Sequence, residues 1–140
     1  MNTKKCILIF GLLLQSMSCK ITRSTLQYST FHFVNETNSD IHIQGWYLRQ
    51  SQQDFRISKN SSIDIEKEQA NASMNPDEFF HSDSLEITFE NNKKLIYSWY
   101  RKSPTKNYLG NGLGYKEERT SENHIKFTYF ITQEHIDSAK

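Results

Sequence analysis

The sequence predicts an all-β fold, specifically an antiparallel β-sandwich of about seven short strands with a short C-terminal helix. Several short segments alternate apolar and polar residues, and turn-forming clusters separate them at intervals of about 8–12 residues. The 140 residues also include nine Phe, seven Tyr and two Trp, which favour strands. An immunoglobulin-like arrangement fits this pattern, and a small open β-barrel built from the same strands is the alternative.

The first half of the chain predicts four strands. Residues 26–34 and 40–48 alternate on either side of the polar cluster 35–39, which predicts a β-hairpin. Shorter alternations at 55–57 and 63–65 predict the third and fourth strands, followed by a polar connection over 66–75. Pro76 with two acidic residues after it predicts one helical turn over 76–80.

Residues 84–99 predict a second hairpin, whose register follows from its apolar residues. A three-residue loop over 91–93 places Phe89 opposite Leu95, which keeps every apolar side chain on one face. Asn92 is expected in the left-handed conformation that such loops require. The predicted core comprises Phe33, Ile43, Leu85, Ile87, Phe89, Leu95, Tyr97, Trp99 and Phe127.

The last part of the chain predicts a long connection, a final strand and a helix. Residues 100–123 lack strand alternation and include three glycines and Pro104. Residues 124–131 alternate again as a strand. Thr132 is suited to cap a short helix with Glu134 in its first turn and Ile136 as its apolar contact.

The N-terminus has the pattern of a secretory signal. Lys4 and Lys5 precede an apolar run over 6–14, which is too short to span a bilayer, and small residues then lead to Cys19. A cysteine at this place resembles the bacterial lipoprotein signal, in which it carries lipid. We therefore predict a signal peptide over 1–18, a lipidated tether over 19–24 and one domain over 25–140. Ordinary secretion with an incidental cysteine is the alternative.

Charge and cysteine content narrow the class of protein. Without Lys4 and Lys5, the 17 basic residues become 15 against 16 acidic residues, which argues against a nucleic-acid partner. Of the two cysteines, Cys6 lies in the predicted signal and Cys19 would carry lipid. We therefore predict neither a disulfide nor a cysteine metal site.

Three segments carry a resemblance to a known group. Phe33-Val34-Asn35 leads to Ile43, residues 83–89 are followed by 93–97, and residues 127–134 precede Asp137-Ser138-Ala139. Together these resemble small all-β lipoproteins of Bacteroidota cell envelopes. The resemblance implies the fold and the compartment, and it implies no activity. Asp83-Ser84-Leu85 and Asp137-Ser138-Ala139 are also similar to acceptor sites for O-glycans in this group, with Ser84 and Ser138 as the acceptors.

Candidate catalytic and metal-binding motifs are sparse. Five histidines are present, and His32 and His42 are expected to face each other across the first hairpin, but no ligand spacing accompanies them. They are therefore interpreted as solvated strand residues. The glycines at 110–114 lack the flanking strand and helix of a phosphate-binding loop. We predict no cofactor, no metal and no enzymatic activity.

The segment 100–123 is the candidate partner-binding loop. Tyrosine and arginine are enriched where proteins bind partners, and long loops are often functional. The candidate residues are Tyr100, Arg101, Lys102, Lys106, Tyr108, Tyr115, Lys116 and Arg119. The alternative is a solvated connection that Tyr108 and Leu109 pin to the sheet.

The sequence therefore predicts a membrane-tethered envelope lipoprotein that binds an envelope protein or a glycan without catalysis. The alternative is a small periplasmic inhibitor or immunity lipoprotein. Lys20 after the cysteine and the lack of an acidic run there favour the outer membrane, on its periplasmic side. The oligomeric state stays open.

Overall fold

A computed structural model describes residues 25–98, 109–110 and 112–140 of the chain. The strands are β1 (Leu26–Asn35), β2 (Ile41–Tyr47), β3 (Gln50–Ile57), β4 (Ser61–Ala70), β5 (Ser84–Phe89), β6 (Lys94–Ser98), β7 (Lys116–Ser121) and β8 (His124–Ile131). The helices are α1 (Pro76–Phe80) and α2 (Gln133–Ser138), and a 3₁₀ turn spans Gly112–Gly114. No helix among the described residues is long and apolar enough to cross a membrane.

The strands form two four-stranded sheets packed face to face, so the predicted β-sandwich is confirmed. The first sheet has the order β4-β1-β8-β7 and the second has the order β3-β2-β5-β6. Every pairing is antiparallel except that of β1 with β8, which is parallel. The described residues thus form eight strands, one more than predicted.

The predicted first hairpin is wrong, because β1 and β2 belong to different sheets. The chain crosses between the sheets at 36–40. There the side chain of the buried Asn35 forms hydrogen bonds with backbone groups of the neighbouring turns. Its Nδ2 donates to Ser39 O at 2.8 Å and to Ser58 O at 3.0 Å, while its Oδ1 accepts the backbone N–H of Thr37. His32 and His42 consequently lie on separate sheets and do not face each other.

Two strands extend through segments that were predicted to be irregular. β4 continues to Ala70 instead of ending at residue 65, and β7 occupies residues 116–121 of the predicted long connection. Both are edge strands. All six residues of β7 are exposed, so its sequence Lys-Glu-Glu-Arg-Thr-Ser has no reason to alternate apolar and polar side chains.

The β5–β6 hairpin has the predicted buried face but a different register. Ile87 pairs with Leu95 and Leu85 with Tyr97, two residues away from the predicted pairing. Phe89 N–H donates to Lys93 O, and Asn92 closes the loop with a φ of 61° as predicted. The loop is three residues long, as expected, but it comprises residues 90–92. Because strand side chains repeat every two residues, a shift of two leaves the same face buried.

The core lies between the sheets and contains all the predicted core residues that the structure describes. Phe33, Ile43, Leu85, Ile87, Phe89, Leu95, Tyr97 and Phe127 are all buried. Trp99 lies outside the described residues. α1 adds two buried aromatic side chains, and the Phe79 ring stacks on Phe31 with centroids 4.2 Å apart.

Both predicted helices are confirmed. Asn75 caps α1 by accepting the N–H of Glu78, whose carboxylate accepts the N–H of Asn75 in return. Thr132 is the N-cap residue of α2, and Ile136 packs against the core.

Contacts between the two sheets define the two ends of the sandwich. Asn35 Nδ2 donates to Ile57 O, Phe33 packs on Phe55 at 5.1 Å, and Phe79 links Phe31 to the Gln53 side chain. The residues of each pair are 22 positions apart in the sequence (35 and 57, 33 and 55, 31 and 53), so β1 and β3, which belong to opposite sheets, run in the same direction. We call the end where β1 begins the lower end and the end where it finishes the upper end.

Candidate functional site

Five of the eight candidate residues of the predicted partner-binding loop lie outside the described residues, namely Tyr100, Arg101, Lys102, Lys106 and Tyr108. Tyr115 is described, and its ring packs against Phe33, Phe127 and Tyr129 while its hydroxyl donates to Leu109 O at 2.8 Å. Burial raises the pKa of Tyr115 well above its ordinary value. Tyr115 is thus a partly buried residue that packs against the core, and its place in a partner-binding surface stays a prediction.

Two further residues of that candidate set lie on β7. Lys116 and Arg119 are exposed on this edge strand, and Arg119 donates to Glu122 O at 2.9 Å. Leu109 is fully buried, as the alternative of a pinned connection requires. Among the described residues of the segment, Leu109 and Tyr115 attach it to the core, and the charged side chains face solvent.

The predicted modification sites lie in different settings. Cys19 is outside the described residues. Ser84 is half-buried at the start of β5, between Trp46 of β2 and Ser98 of β6. Ser138 is half-buried at the last position of α2, next to the exposed Asp137.

Three of the histidines lie on strands (His32, His42 and His124), whereas His81 follows α1 and His135 lies in α2. Within residues 25–98, 109–110 and 112–140, no three His, Cys, Asp or Glu side chains are grouped closely enough to hold a metal ion. His32 contacts Asp64 on the outer face of the first sheet. His124 Nε2 lies 2.7 Å from Thr30 Oγ1 on the same face, in a hydroxyl–imidazole pair. To act in nucleophilic catalysis, a hydroxyl–imidazole pair also needs a group that orients the imidazole. Among the described residues, no hydrogen bond from His124 to a carboxylate is found.

The outer face of the second sheet carries the best-organised polar cluster. His42 Nε2 lies 2.6 Å from Asp54 Oδ1, and Gln44 Nε2 donates to Asp54 Oδ2 at 3.0 Å. The hydrogen bond from His42, followed by that from Gln44, lowers the pKa of Asp54. Arg56 lies directly across from His42 in the neighbouring strand. These side chains present fixed donors and one carboxylate that stays ionised at neutral pH.

A shallow pocket of about 370 Å³ opens at the upper end of this face. Two contacts fix its rim, since Asp40 Oδ1 accepts the N–H of Lys59 at 2.8 Å and Ser39 Oγ accepts the N–H of Glu90 at 2.9 Å. The pocket is lined by Asp40, Ile41, His42, Arg56, Ile57, Ser58, Thr88, Phe89, Glu90 and Asn92. The lining thus combines carboxylates, hydroxyls, an amide and a guanidinium group around an apolar floor.

The sequence pattern did not identify this pocket, because its lining residues come from three strands and three connecting segments. In the local sequence pattern, nothing distinguishes His42, Arg56 and Thr88 from other outward-facing strand residues. They become neighbours only when β2 pairs with β3 on one side and with β5 on the other. The local signals at this end were the polar turn clusters at 35–39 and 58–62 and the predicted loop at 91–93.

Comparisons with protein families, with curated proteins and with solved structures find no match to this chain. The β-sandwich and its polar pocket are therefore the basis for the functional proposal.

Proposed function

We propose that this protein is a non-catalytic binding module, held at the bacterial cell envelope by lipid on Cys19, whose upper pocket binds an envelope glycan. The observation that carries the proposal is the pocket itself. Its volume falls within the range typical of small-ligand sites, and its lining offers both hydrogen-bond donors and acceptors. Sugar hydroxyls act as both donors and acceptors, so a mixed lining of this kind suits them.

The charges around the pocket support binding rather than catalysis. Asp54 contacts the pocket residue His42, and its lowered pKa keeps that carboxylate ionised, whereas a general acid or base works best with a pKa near the working pH. Arg56 and the rim carboxylates Asp40 and Glu90 provide opposite charges within one small site. Such an arrangement favours a neutral or zwitterionic ligand over a strongly anionic one.

The proposal can be tested with the full-chain mature lipoprotein in detergent on an array of bacterial envelope glycans, followed by calorimetric titration of the glycans that bind. We expect Arg56→Ser to weaken binding about tenfold or more, because a hydrogen bond to a charged group contributes about 1.5–3 kcal/mol. The matched control is Arg49→Ser, which removes an exposed arginine at the lower end of the same sheet.

Binding that is equally weakened by both substitutions, or by neither, would contradict a role for the pocket. Absence of glycan binding together with capture of one envelope protein that is insensitive to Arg56→Ser would instead favour a protein partner. An inhibitor or immunity role would then be tested by adding the captured enzyme's substrate and measuring inhibition.

A further inference from the structure

The turn between β2 and β3 has an unusual sequence for its backbone geometry. Leu48 and Arg49 form a two-residue turn between the paired residues Tyr47 and Gln50, with φ angles of 49° and 66°. Turns of this kind strongly favour Asn-Gly, because residues other than Gly, Asn and Asp have a strained backbone at positive φ. Residues with backbone strain of this kind cluster at functional sites, where the surrounding structure holds them in place.

Contacts with the start of β5 hold this turn in a fixed position. Asp83 N–H donates to Trp46 O at 2.8 Å, and Asp83 Oδ2 accepts the N–H of Leu48 at 3.0 Å. The Tyr47 ring lies 4.7 Å from the His81 ring. The turn therefore projects as a preorganised tip.

The side chains of residues 46–49, which we call the tip, match those found at the surface of a bilayer. Leu48 is 72 % exposed and Tyr47 is 36 % exposed, although apolar side chains of this size are usually buried. Tryptophan and tyrosine favour the membrane interface, and arginine can contact lipid phosphates. Asp83 at this end is engaged with the Leu48 backbone, and Glu122 is an exposed acid at the β7–β8 turn.

The tip lies at the end of the molecule nearest the predicted anchor. The spacing that pairs residue 31 with 53 and residue 35 with 57 places Leu48 at about the level of Leu26, where β1 begins. Leu26 is itself 44 % exposed. Cys19 precedes Leu26 by only seven residues, which span at most about 25 Å even when fully extended.

We propose that the tip contacts the membrane that carries the lipid of Cys19, with Leu48 entering the polar–apolar boundary. This inference rests on the proposed lipid anchor. It places the polar pocket at the opposite end of the sandwich, facing away from the membrane.

Single-cysteine labelling tests the proposal. In the mature chain Cys19 is the only native cysteine and would carry lipid, so an introduced thiol is unique. Full-chain lipoprotein with Leu48→Cys carries an environment-sensitive fluorophore and is reconstituted into vesicles of phosphatidylethanolamine with a minority of phosphatidylglycerol. The matched controls are Ile96→Cys, at a 52 % exposed position on β6, and Lys59→Cys at the upper end.

We expect the label at 48 to brighten several-fold and to be quenched by lipids that carry a nitroxide on the acyl chain, while the labels at 59 and 96 stay in water. Labels that behave alike at all three positions, or a label that is quenched only at 59, would overturn the proposal. A label at 48 that responds in native envelope membranes but not in these vesicles would assign the tip to a protein and would also overturn it.

Mass spectrometry of the same samples shows separately whether Cys19 carries lipid. If the protein carries no lipid on Cys19, the label is placed at 48 in a Cys19→Ser background, and a response to vesicles there would overturn the anchor and retain the tip contact. Lipidated protein whose label at 48 stays in water would retain the anchor and overturn the tip contact.

Discussion

His135 shows how a single polar side chain can be held inside this small core. Its Nδ1 accepts the N–H of Thr132 at 3.1 Å, so the ring proton lies on Nε2, which donates to the Tyr129 hydroxyl at 3.0 Å. A second ring proton would point Nδ1–H at the Thr132 N–H. Burial also lowers the pKa of His135, and this effect outweighs the opposing influence of Glu134.

The lowered pKa predicts that the protein loses stability in mild acid. The unfolded chain takes up a proton on His135 as pH falls through about 6.5, whereas the folded chain resists it, so protonation favours unfolding below that pH. Above that pH His135 is neutral in both states and has no effect. We expect the free energy of unfolding in urea to fall between about pH 7 and pH 5 in the wild type and to fall less in His135→Gln.

An exposed histidine provides the control for this measurement. His81→Gln removes a histidine whose side chain is exposed next to Tyr47, and the wild-type pH dependence should remain. Equal pH dependence in the wild type and His135→Gln would show that His135 does not resist protonation in the folded state.

At the scale of elements, the β2–β3 and β5–β6 hairpin turns both place residues at positive φ, but with different residue types. The β5–β6 loop places Asn92 at a φ of 61°, a conformation that asparagine tolerates. The β2–β3 turn places Leu48 and Arg49 at similar angles, where their side chains are strained. This contrast explains why the sequence signalled one turn and not the other.

Replacing the strained turn should stabilise the fold. We expect Leu48→Asn with Arg49→Gly to raise the free energy of unfolding in urea by about 1–2 kcal/mol, because both new residues suit the backbone. Asn92→Gly in the other loop is the control and should change stability by only a few tenths of a kcal/mol, since the asparagine is already accommodated. A double variant less stable than the wild type would contradict the left-handed geometry at 48 and 49.

At the scale of the whole molecule, the sandwich has two chemically different ends. The upper end carries the polar pocket, with rim residues from the 36–40 crossing, the end of β3 and the β5–β6 loop. The lower end carries the tip and the beginning of β1. The proposed lipid on Cys19 would orient these ends relative to the membrane.

The anchor itself predicts a fractionation result. We expect the wild-type protein to sediment with membranes and Cys19→Ser to appear as a soluble or uncleaved form, because each buried acyl CH₂ contributes about 0.8 kcal/mol and stable anchoring needs more than one chain. The tip alone should not retain the soluble form through a high-salt wash. A Cys19→Ser protein that sediments as mature wild-type protein does would refute the lipid assignment.

The sequence by itself determined which faces of the strands are buried and where the helices begin. Alternation identified Leu85, Ile87, Phe89, Leu95 and Tyr97 as core residues, and local signals at Pro76, Asn92 and Thr132 were confirmed. These features depend on residues close together in the chain, so a local pattern is sufficient to predict them.

Only the tertiary structure decided which strands pair, in what register, and where the pocket and the tip lie. The pairing of β1 with β4 and β8 instead of β2, and the two-residue shift of the β5–β6 register, both leave the buried faces unchanged. Alternation therefore cannot distinguish them. The exposed strand β7 has no buried face to encode, and the pocket joins residues from distant segments whose proximity follows from strand pairing alone.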